Sequence, residues 1–191
     1  MKKSSLALLI IFFFVITDQM IKIWVKTTMS VGESFPVLGN WFYIFFVENE
    51  GIAFGISFGE NIGKLLLSLV RIGVATALIY YLFSLIKKKQ AEWIVVIILS
   101  LIIAGALGNI IDSLFYGIVW NYAPFFYGRV VDMFYFKLFI FPEWFPLLGG
   151  SYFFPAIFNV ADICTTAGIF ALVAWNKKFF VSKKEENMAQ I

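Results

Sequence analysis

Four long apolar stretches dominate the sequence, at residues 6–25, 65–86, 93–112 and 153–175. Each is close to the roughly 20 residues that an α-helix needs to cross a bilayer. The stretches are continuously apolar, whereas the strands of a membrane β-barrel alternate between apolar and polar residues. Helices also satisfy their own backbone hydrogen bonds in lipid. The pattern therefore predicts four transmembrane helices.

Clusters of lysine lie outside these stretches and predict how the helices are oriented. Lysines precede the first stretch, separate the second from the third and follow the fourth: Lys2, Lys3, Lys87, Lys88, Lys89, Lys177, Lys178, Lys183 and Lys184. Lysine and arginine are enriched in cytoplasmic loops, and four spans put all three clusters on one side. We therefore expect both termini and the tail 176–191 in the cytoplasm, with the segments 26–64 and 113–152 outside.

The amino terminus also imitates a secretory signal peptide, because two lysines precede an apolar run. No small-residue cleavage pattern follows that run, and the sequence continues with Asp18 to Lys22 instead. We therefore expect this stretch to be retained as the first membrane span.

The composition favours the same class of protein. Of 191 residues, 61% are hydrophobic, 20% are aromatic and 14% are charged, with no histidine and one cysteine. A soluble domain is about half apolar and a quarter charged, so a soluble globular domain is strongly disfavoured. We expect one integral membrane domain, 1–191. The net charge of +3 gives no indication of a nucleic-acid partner.

Polar side chains inside the predicted spans gather near the outer ends of those spans. They are Asp18 and Lys22 in the first span, Arg71 in the second, Asn109 and Asp112 in the third, and Asn159 and Asp162 in the fourth. Ionisable groups are costly in lipid and are usually functional there. We therefore expect one polar layer near the outer leaflet.

The residue types limit the chemistry that this layer can perform. Without histidine, nucleophiles of the Ser-His and Cys-His types are excluded, as are zinc sites built from histidine. Two close carboxyl groups can still hydrolyse a peptide, because they share a proton: one activates water and the other donates to the scissile carbonyl. Spacing leaves open which two of Asp18, Asp112, Asp132 and Asp162 would pair. Taken alone, Asp132 is typical of an ordinary loop acid beside an arginine.

Five blocks of the sequence resemble those of the bacterial lipoprotein signal peptidases, the signal peptidase II family. They are Asp18-Gln19 with Lys22, Asn49-Glu50-Gly51-Ile52-Ala53-Phe54-Gly55, Gly105-Ala106-Leu107-Gly108-Asn109-Ile110-Ile111-Asp112, Val130-Val131-Asp132, and Phe158-Asn159-Val160-Ala161-Asp162. Each block alone is a weak signal, but five in the family's order on a four-span chain are a strong one. The resemblance covers residues 6–175.

The resemblance implies an intramembrane aspartic endopeptidase of the bacterial cytoplasmic membrane. Such enzymes remove the signal peptide of a prolipoprotein just before a cysteine that carries diacylglycerol. They need no metal or cofactor, and the cyclic peptide globomycin inhibits them. Asp132 and Asp162 would be the catalytic pair. The supporting residues would be Asp18, Lys22, Asn49, Gly51, Asn109, Asp112, Arg129 and Asn159.

The expected fold is an all-α integral membrane protein. It is a four-transmembrane-helix bundle, acting as a monomer, with outward-facing interfacial loops and a small β-like segment at Arg129–Val131 that would bring Asp132 to Asp162. Two departures from the family stand out. Ser113 occupies a position where the family usually has arginine, and Arg129 is a candidate to replace that charge. The segments 113–131 and 133–157 are long, and we expect an interfacial platform there.

Two other functions remain open from the residues. The carboxylates of a four-span chain are also typical of a small ion-coupled transporter, which would show substrate flux without cleavage. A metal-dependent membrane phosphotransferase would use them as Mg²⁺ ligands and would be sensitive to chelators.

Overall fold

The computed structural model describes residues 1–50, 60–146 and 149–188 of the chain. Its long helices are α1 (Lys3–Thr28), α2 (Glu60–Lys87), α3 (Trp93–Ile111) and α5 (Val160–Met188). Helix α3 continues through a π-helical turn (Asp112–Tyr116) into the short helix α4 (Gly117–Val119). Single π turns inside helices are frequent at functional sites, and this one begins at a carboxylate.

The first three predicted spans are confirmed as long apolar helices. Within the described residues, the helices long and apolar enough to cross a membrane are Lys3–Thr28, Ile62–Lys87 and Trp93–Val119. The apolar part of α5, Val160–Trp175, is shorter. The chain is therefore a membrane protein with three helices of spanning length and a fourth, partly apolar helix.

The predicted start of the fourth span at residue 153 is wrong. Residues 157–158 form a strand, and α5 begins only at Val160. Pro155 contributes to the difference, because the residue before a proline is pushed away from helical conformation. Asn159 then provides a starting point for the helix, since asparagine favours the position just before the first helical turn.

The predicted all-α class underestimates the β structure. A four-stranded antiparallel sheet is formed by β1 (Ser34–Leu38), β2 (Phe42–Asn49), β3 (Val130–Phe136) and β4 (Ile157–Phe158), in that order. Aromatic and β-branched residues fill β2 and β3, and these residue types favour strands. The long segments that were expected to be interfacial loops thus supply a sheet, and its central strand β3 carries Asp132.

The sheet packs on one end of the helical bundle through a compact apolar cluster. The cluster joins the last turns of α1, the two central strands and the π turn of α3, and consists of Val25, Ile44, Phe46, Tyr116, Val131 and Met133. Burial of such side chains stabilises a fold by about 1.5–3 kcal/mol each. This cluster therefore fixes β3 against the bundle on either side of Asp132.

Helix α3 lies at the centre of the bundle. In its most apolar 18-residue stretch, 56% of the residues are buried, compared with 17% in the corresponding stretches of α1 and α2. A Cβ atom added at Gly108 would lie 2.6 Å from Asp18 Oδ2 of α1 and 3.0 Å from Ala161 Cβ of α5. Glycine is thus required where α1, α3 and α5 meet, which is also where the polar residues lie.

Candidate active site

A buried polar layer lies where α1, α3, α5 and β3 converge. Its charged members Asp18, Lys22, Asp112 and Asp132 are each at most 3% exposed, and Asn159 is fully buried. The structure therefore brings together residues that the sequence placed near the ends of separate spans. The layer also contains Asn49, Asn109 and Asp162, which make hydrogen bonds to its members.

Asp132 lies in the middle of the sheet rather than in a loop. It pairs with Val47 of β2 in the strand register. Asn49 Nδ2 donates to its Oδ2 at 3.0 Å, and Asn159 Nδ2 donates to its Oδ1 at 2.7 Å. The interpretation of Asp132 as an ordinary loop acid is thus wrong, because Asp132 is 3% exposed and a central strand holds it against the start of α5.

Asp162 lies in the first turn of α5, in a reciprocal cap with Asn159. Asp162 N donates to Asn159 Oδ1 at 2.9 Å, and Asn159 N donates to Asp162 Oδ2 at 3.2 Å. This is the capping-box arrangement, with asparagine and aspartate in place of the usual residues. Asn109 Nδ2 donates to the other carboxylate oxygen, Oδ1, at 2.9 Å. The carboxylate of Asp162 is thereby fixed by the local geometry of a helix start.

One residue connects the two candidate catalytic carboxylates. Asn159 donates its side-chain amide to Asp132 and its backbone N–H to Asp162. The same side-chain amide also approaches Asn109 Oδ1 at 3.1 Å and the carbonyl oxygen of Val131 at 3.3 Å. Asn159 therefore positions the two carboxylates relative to each other.

The environment changes the acidity of Asp132. Burial raises its pKa, the negative charge of Asp162 raises it further, and the hydrogen bonds from Asn49 and Asn159 oppose the rise. The result is a pKa of about 7, compared with 3.8 for an ordinary aspartate. Asp132 is thus able to hold a proton near neutral pH, as one member of a proton-sharing carboxyl pair must.

Lys22 is the cation of the buried layer. Its Nζ lies 2.8 Å from Asp18 Oδ2 and 2.7 Å from Asp112 Oδ2, and it donates to Asn109 Oδ1 at 3.0 Å. The i,i+4 pair within α1 is therefore not closed on itself but includes a second acid from α3. Lys22 thus balances the charge of two acids and connects α1 with α3.

The two acids bound to Lys22 hold the backbone beside the candidate catalytic aspartates. Asp18 Oδ1 accepts from the backbone N–H of Ala161 at 2.9 Å, and Asp112 Oδ2 accepts from that of Val131 at 3.2 Å. Ala161 directly precedes Asp162, and Val131 directly precedes Asp132. The layer thus positions both elements that carry the pair.

Sequence reasoning did not single out Gln19 as a site residue. Gln19 Nε2 donates to Asp112 Oδ1 at 2.9 Å and approaches Asp18 Oδ2 at 3.3 Å, while Tyr116 Oη donates to Gln19 Oε1 at 3.1 Å. Its position between Asp18 and the rest of the first block was the available signal. Gln19 links both supporting acids to the π turn.

Two of the expected supporting residues, Arg129 and Gly51, are not among the residues that the structure places in this layer. Arg129 is 42% exposed and pairs with Glu48 at 3.2 Å and Glu50 at 3.1 Å. Among the described residues it makes no hydrogen bond or ion pair with Asp132, because Arg129 precedes β3 and points toward the rim of the sheet. Gly51 lies outside the described residues.

Grooves lead to Asp162 from two sides of α5. One, of about 350 Å³, is lined mainly by apolar residues that include Phe154, Phe158 and Phe170. The other, of about 370 Å³, lies between α2, α3 and α5 and includes Asn109 and Arg71. An extended apolar ligand could thus place a polar group beside the carboxylates, and the arrangement supports hydrolysis by two acids and water.

Comparisons with known proteins agree with this geometry. The family model described as Signal peptidase (SPase) II matches residues 10–177. The lipoprotein signal peptidase of Porphyromonas gingivalis is 46% identical over 183 residues, covering 86% of this chain and 79% of that protein. The lipoprotein signal peptidase of Staphylococcus aureus is 31% identical, with 95% and 94% covered.

Solved structures show the same fold. A bacterial membrane enzyme determined by the in meso method at 2.3 Å resolution has a TM-score of 0.68 and 30% identity, covering 95% of this chain and 93% of that one. A second bacterial membrane enzyme, at 1.9 Å resolution, has a TM-score of 0.65 and 32% identity.

Proposed function

The chain belongs to the signal peptidase II family, and we propose that Asp132 and Asp162 form the catalytic pair with which this peptidase removes signal peptides from prolipoproteins. The observation that carries the assignment is the bridge made by Asn159, which hydrogen-bonds to both carboxylates from one residue. A pair of acids held this way in a buried layer fits a reaction that needs one carboxyl protonated and the other ionised.

The roles within the pair follow from their surroundings. Asp132, whose pKa is about 7, is the acid that donates its proton to the scissile carbonyl oxygen. Asp162 is the carboxylate that takes a proton from water while the water oxygen attacks the carbonyl carbon. The tetrahedral intermediate then collapses: the C–N bond breaks, the departing amine takes the proton from Asp162, and a hydroxyl of the intermediate returns a proton to Asp132 as the carboxyl group forms.

The remaining polar residues position this pair. Asp18 and Asp112 hold Ala161 and Val131 through backbone N–H groups, and Lys22 balances the charge of both acids. Asn49 and Asn109 each donate to one catalytic carboxylate. Gly51 is assigned a supporting role by the family resemblance alone.

The same proposal includes a membrane arrangement. The chain is a single domain, 1–191, of the bacterial cytoplasmic membrane, with α5 as the fourth span and both termini in the cytoplasm. The lysine clusters support this orientation. The catalytic layer and the sheet then lie at the outer leaflet, where aromatic side chains favour the interface.

We propose that the substrate is a prolipoprotein with a diacylglyceryl-modified cysteine, cleaved before that cysteine. Apolar walls beside Asp162 support this choice, because acyl chains and a signal helix bury apolar surface. The enzyme acts as a monomer and is inhibited by globomycin-type cyclic peptides.

The direct test uses purified protein and a diacylglyceryl-modified prolipoprotein. We expect wild type to cleave it with or without EDTA, and Asp132→Asn and Asp162→Asn each to lose at least about 100-fold in kcat, since general acid–base groups contribute about 10²–10⁴-fold. Glu143→Gln, at an exposed acid, is the matched control and should cleave normally. Activity near wild type in either aspartate variant contradicts the assignment. Substrate flux without cleavage would instead indicate a transporter, and loss in EDTA a metal enzyme.

A further inference from the structure

Arg71 of α2 lies beside the catalytic layer without belonging to it. Its Nη1 donates to Ser113 Oγ at 3.2 Å. It interacts electrostatically with the carboxylates of Asp162, Asp112 and Asp132, in decreasing order. Among the described residues Arg71 makes no ion pair. Its charge therefore acts on these carboxylates at a distance and is not neutralised by direct contact with one of them.

A charged side chain is energetically costly in the mainly apolar surroundings of Arg71, which indicates that this residue has a function. Arg71 lines the groove of about 370 Å³ between α2, α3 and α5, together with Asp162 and Asn109. The rest of the wall is mainly apolar and includes Val70, Val74, Ile102 and Ile169. A guanidinium carries five N–H donors, and a single hydrogen bond from it is found within the described residues. A charged side chain inside a predicted membrane span is typical of a functional site.

Ser113 determines where the guanidinium points. Its hydroxyl accepts from Arg71 and donates to the carbonyl oxygen of Asn109 at 2.9 Å. Ser113 is 3% exposed and lies in the π turn directly after Asp112. The serine thus links the guanidinium to Asn109, which also lines the groove.

We infer that Arg71 is a substrate-binding residue, which donates N–H groups to a carbonyl oxygen of the bound substrate beside Asp162. The inference rests on the proposed function and extends it to a residue of α2. Two groups of the substrate offer this chemistry, a peptide carbonyl near the scissile bond and an ester carbonyl of the diacylglyceryl group. Arg71 lies at the polar end of an otherwise apolar groove, so either carbonyl would reach it while its apolar neighbours remain in lipid.

The test compares Arg71→Ala and Arg71→Lys with wild type on a synthetic diacylglyceryl lipopeptide. A hydrogen bond to a charged group corresponds to about a 10- to 100-fold change. We expect Arg71→Ala to raise KM by that factor with kcat changed less than about threefold, and Arg71→Lys to lie between. Lys87→Ala removes a cation from the opposite end of the same helix and should match wild type. The double variant Arg71→Ala/Ser113→Arg restores a cation to this end of the groove and should recover part of the loss.

Binding is measured separately in the Asp132→Asn background, where cleavage does not interfere. The added Arg71→Ala substitution should weaken lipopeptide binding by the same 10- to 100-fold factor. An ether-linked analogue without ester carbonyls distinguishes the two sources: the effect of Arg71→Ala disappears if the ester is bound and persists if the peptide carbonyl is bound.

The inference fails if Arg71→Ala cleaves and binds the lipopeptide within about twofold of wild type, or if its loss lies wholly in kcat with binding unchanged. The proposed function fails differently, by wild type leaving the same lipopeptide intact or by Asp132→Asn cleaving it normally. Thermal unfolding of each variant in detergent accompanies the assays. Loss of binding in a protein that unfolds at the wild-type temperature supports a contact with substrate.

Discussion

Two clusters of this protein each join basic side chains to two carboxylates, yet they differ in burial. Lys22 is fully buried between Asp18 and Asp112. Arg129 is 42% exposed between Glu48 and Glu50. Each buried acid also accepts a backbone N–H group beside the candidate catalytic pair. The buried cluster therefore positions the candidate active site, whereas the outer one lies on the rim of the sheet.

The outer cluster also shows what partial exposure does to a carboxylate. Burial alone would raise the pKa of Glu48, but Lys26 and Arg129 hold it below its ordinary value. Glu48 thus remains charged and paired at neutral pH. Arg129 and Glu50 are each 42% exposed, so water and salt weaken the interaction between them. This pair therefore contributes less to stability than a buried pair would.

Removal of the buried cation has the largest expected effect. Lys22→Met leaves Asp18 and Asp112 buried without their counter-charge, and breaking a buried ion pair costs about 3–5 kcal/mol. We expect a large fall in the unfolding temperature in detergent, together with loss of cleavage. Arg129→Met, at the 42% exposed cation of the outer cluster, is the matched control. Equal destabilisation by the two substitutions would contradict the comparison.

The two supporting acids should act on the rate rather than on substrate binding. Asp18→Ala and Asp112→Ala release the backbone beside Asp162 and Asp132, and small displacements of reacting groups cost up to about 100-fold. We expect kcat to fall about 10- to 100-fold with KM nearly unchanged. The Asp→Asn variants should recover part of this loss, because an amide oxygen still accepts the backbone N–H. An effect confined to KM would show that these acids contact substrate instead.

The pH dependence follows from Asp132. Asp132 loses its proton as the pH rises through about 7, so kcat should decline above that pH. If Asp132 is the sole acid, the decline in kcat approaches tenfold per pH unit. Because the folded pKa exceeds the unfolded value, the folded state binds more protons between about pH 4 and 7. The stability contributed by this group is therefore lost as the pH rises through that window. Rates and unfolding temperatures from pH 4 to 9 test both statements, and a kcat that rises through pH 8 would contradict the assignment of Asp132 as the acid.

The smallest expected effect is that of Arg129→Ala. Exposed ion pairs contribute about 0.2–1 kcal/mol, so the unfolding temperature should fall slightly and the difference should shrink at high salt. We expect kcat/KM within about threefold of wild type. A loss comparable to that of Asp18→Ala would instead place Arg129 in the active site, as the charge that replaces the missing arginine at Ser113.

Much of this architecture could be predicted from local sequence. The first three spans follow from continuous apolar runs, and the polar layer follows from Asp18, Lys22, Asn109 and Asp112 at the same depth. These features can be predicted locally because the backbone hydrogen bonds of a helix lie within the helix itself. The length of a helix and the positions of its polar residues therefore follow from one stretch of sequence. The position of Asp162 follows for the same reason, even though the start of its helix does not.

The sheet and the pairing of the acids could not be predicted in this way. Strand β2 pairs with β3 across a large sequence separation, and no local pattern shows such a partner. Asp132 therefore looked like a loop acid until its family block was considered. The bridge by Asn159 and the contact between Arg71 and Ser113 also depend on how separate elements meet, which spacing along one helix does not describe.

The most direct test of the central claim is whether the two aspartates act as a unit. We would measure single-turnover cleavage of a diacylglyceryl lipopeptide by Asp132→Asn, Asp162→Asn and the double variant. Groups that share one catalytic task are strongly non-additive, so each single variant should lose as much activity as the double variant. Losses that multiply, or a single variant with substantial cleavage, would contradict a shared catalytic pair.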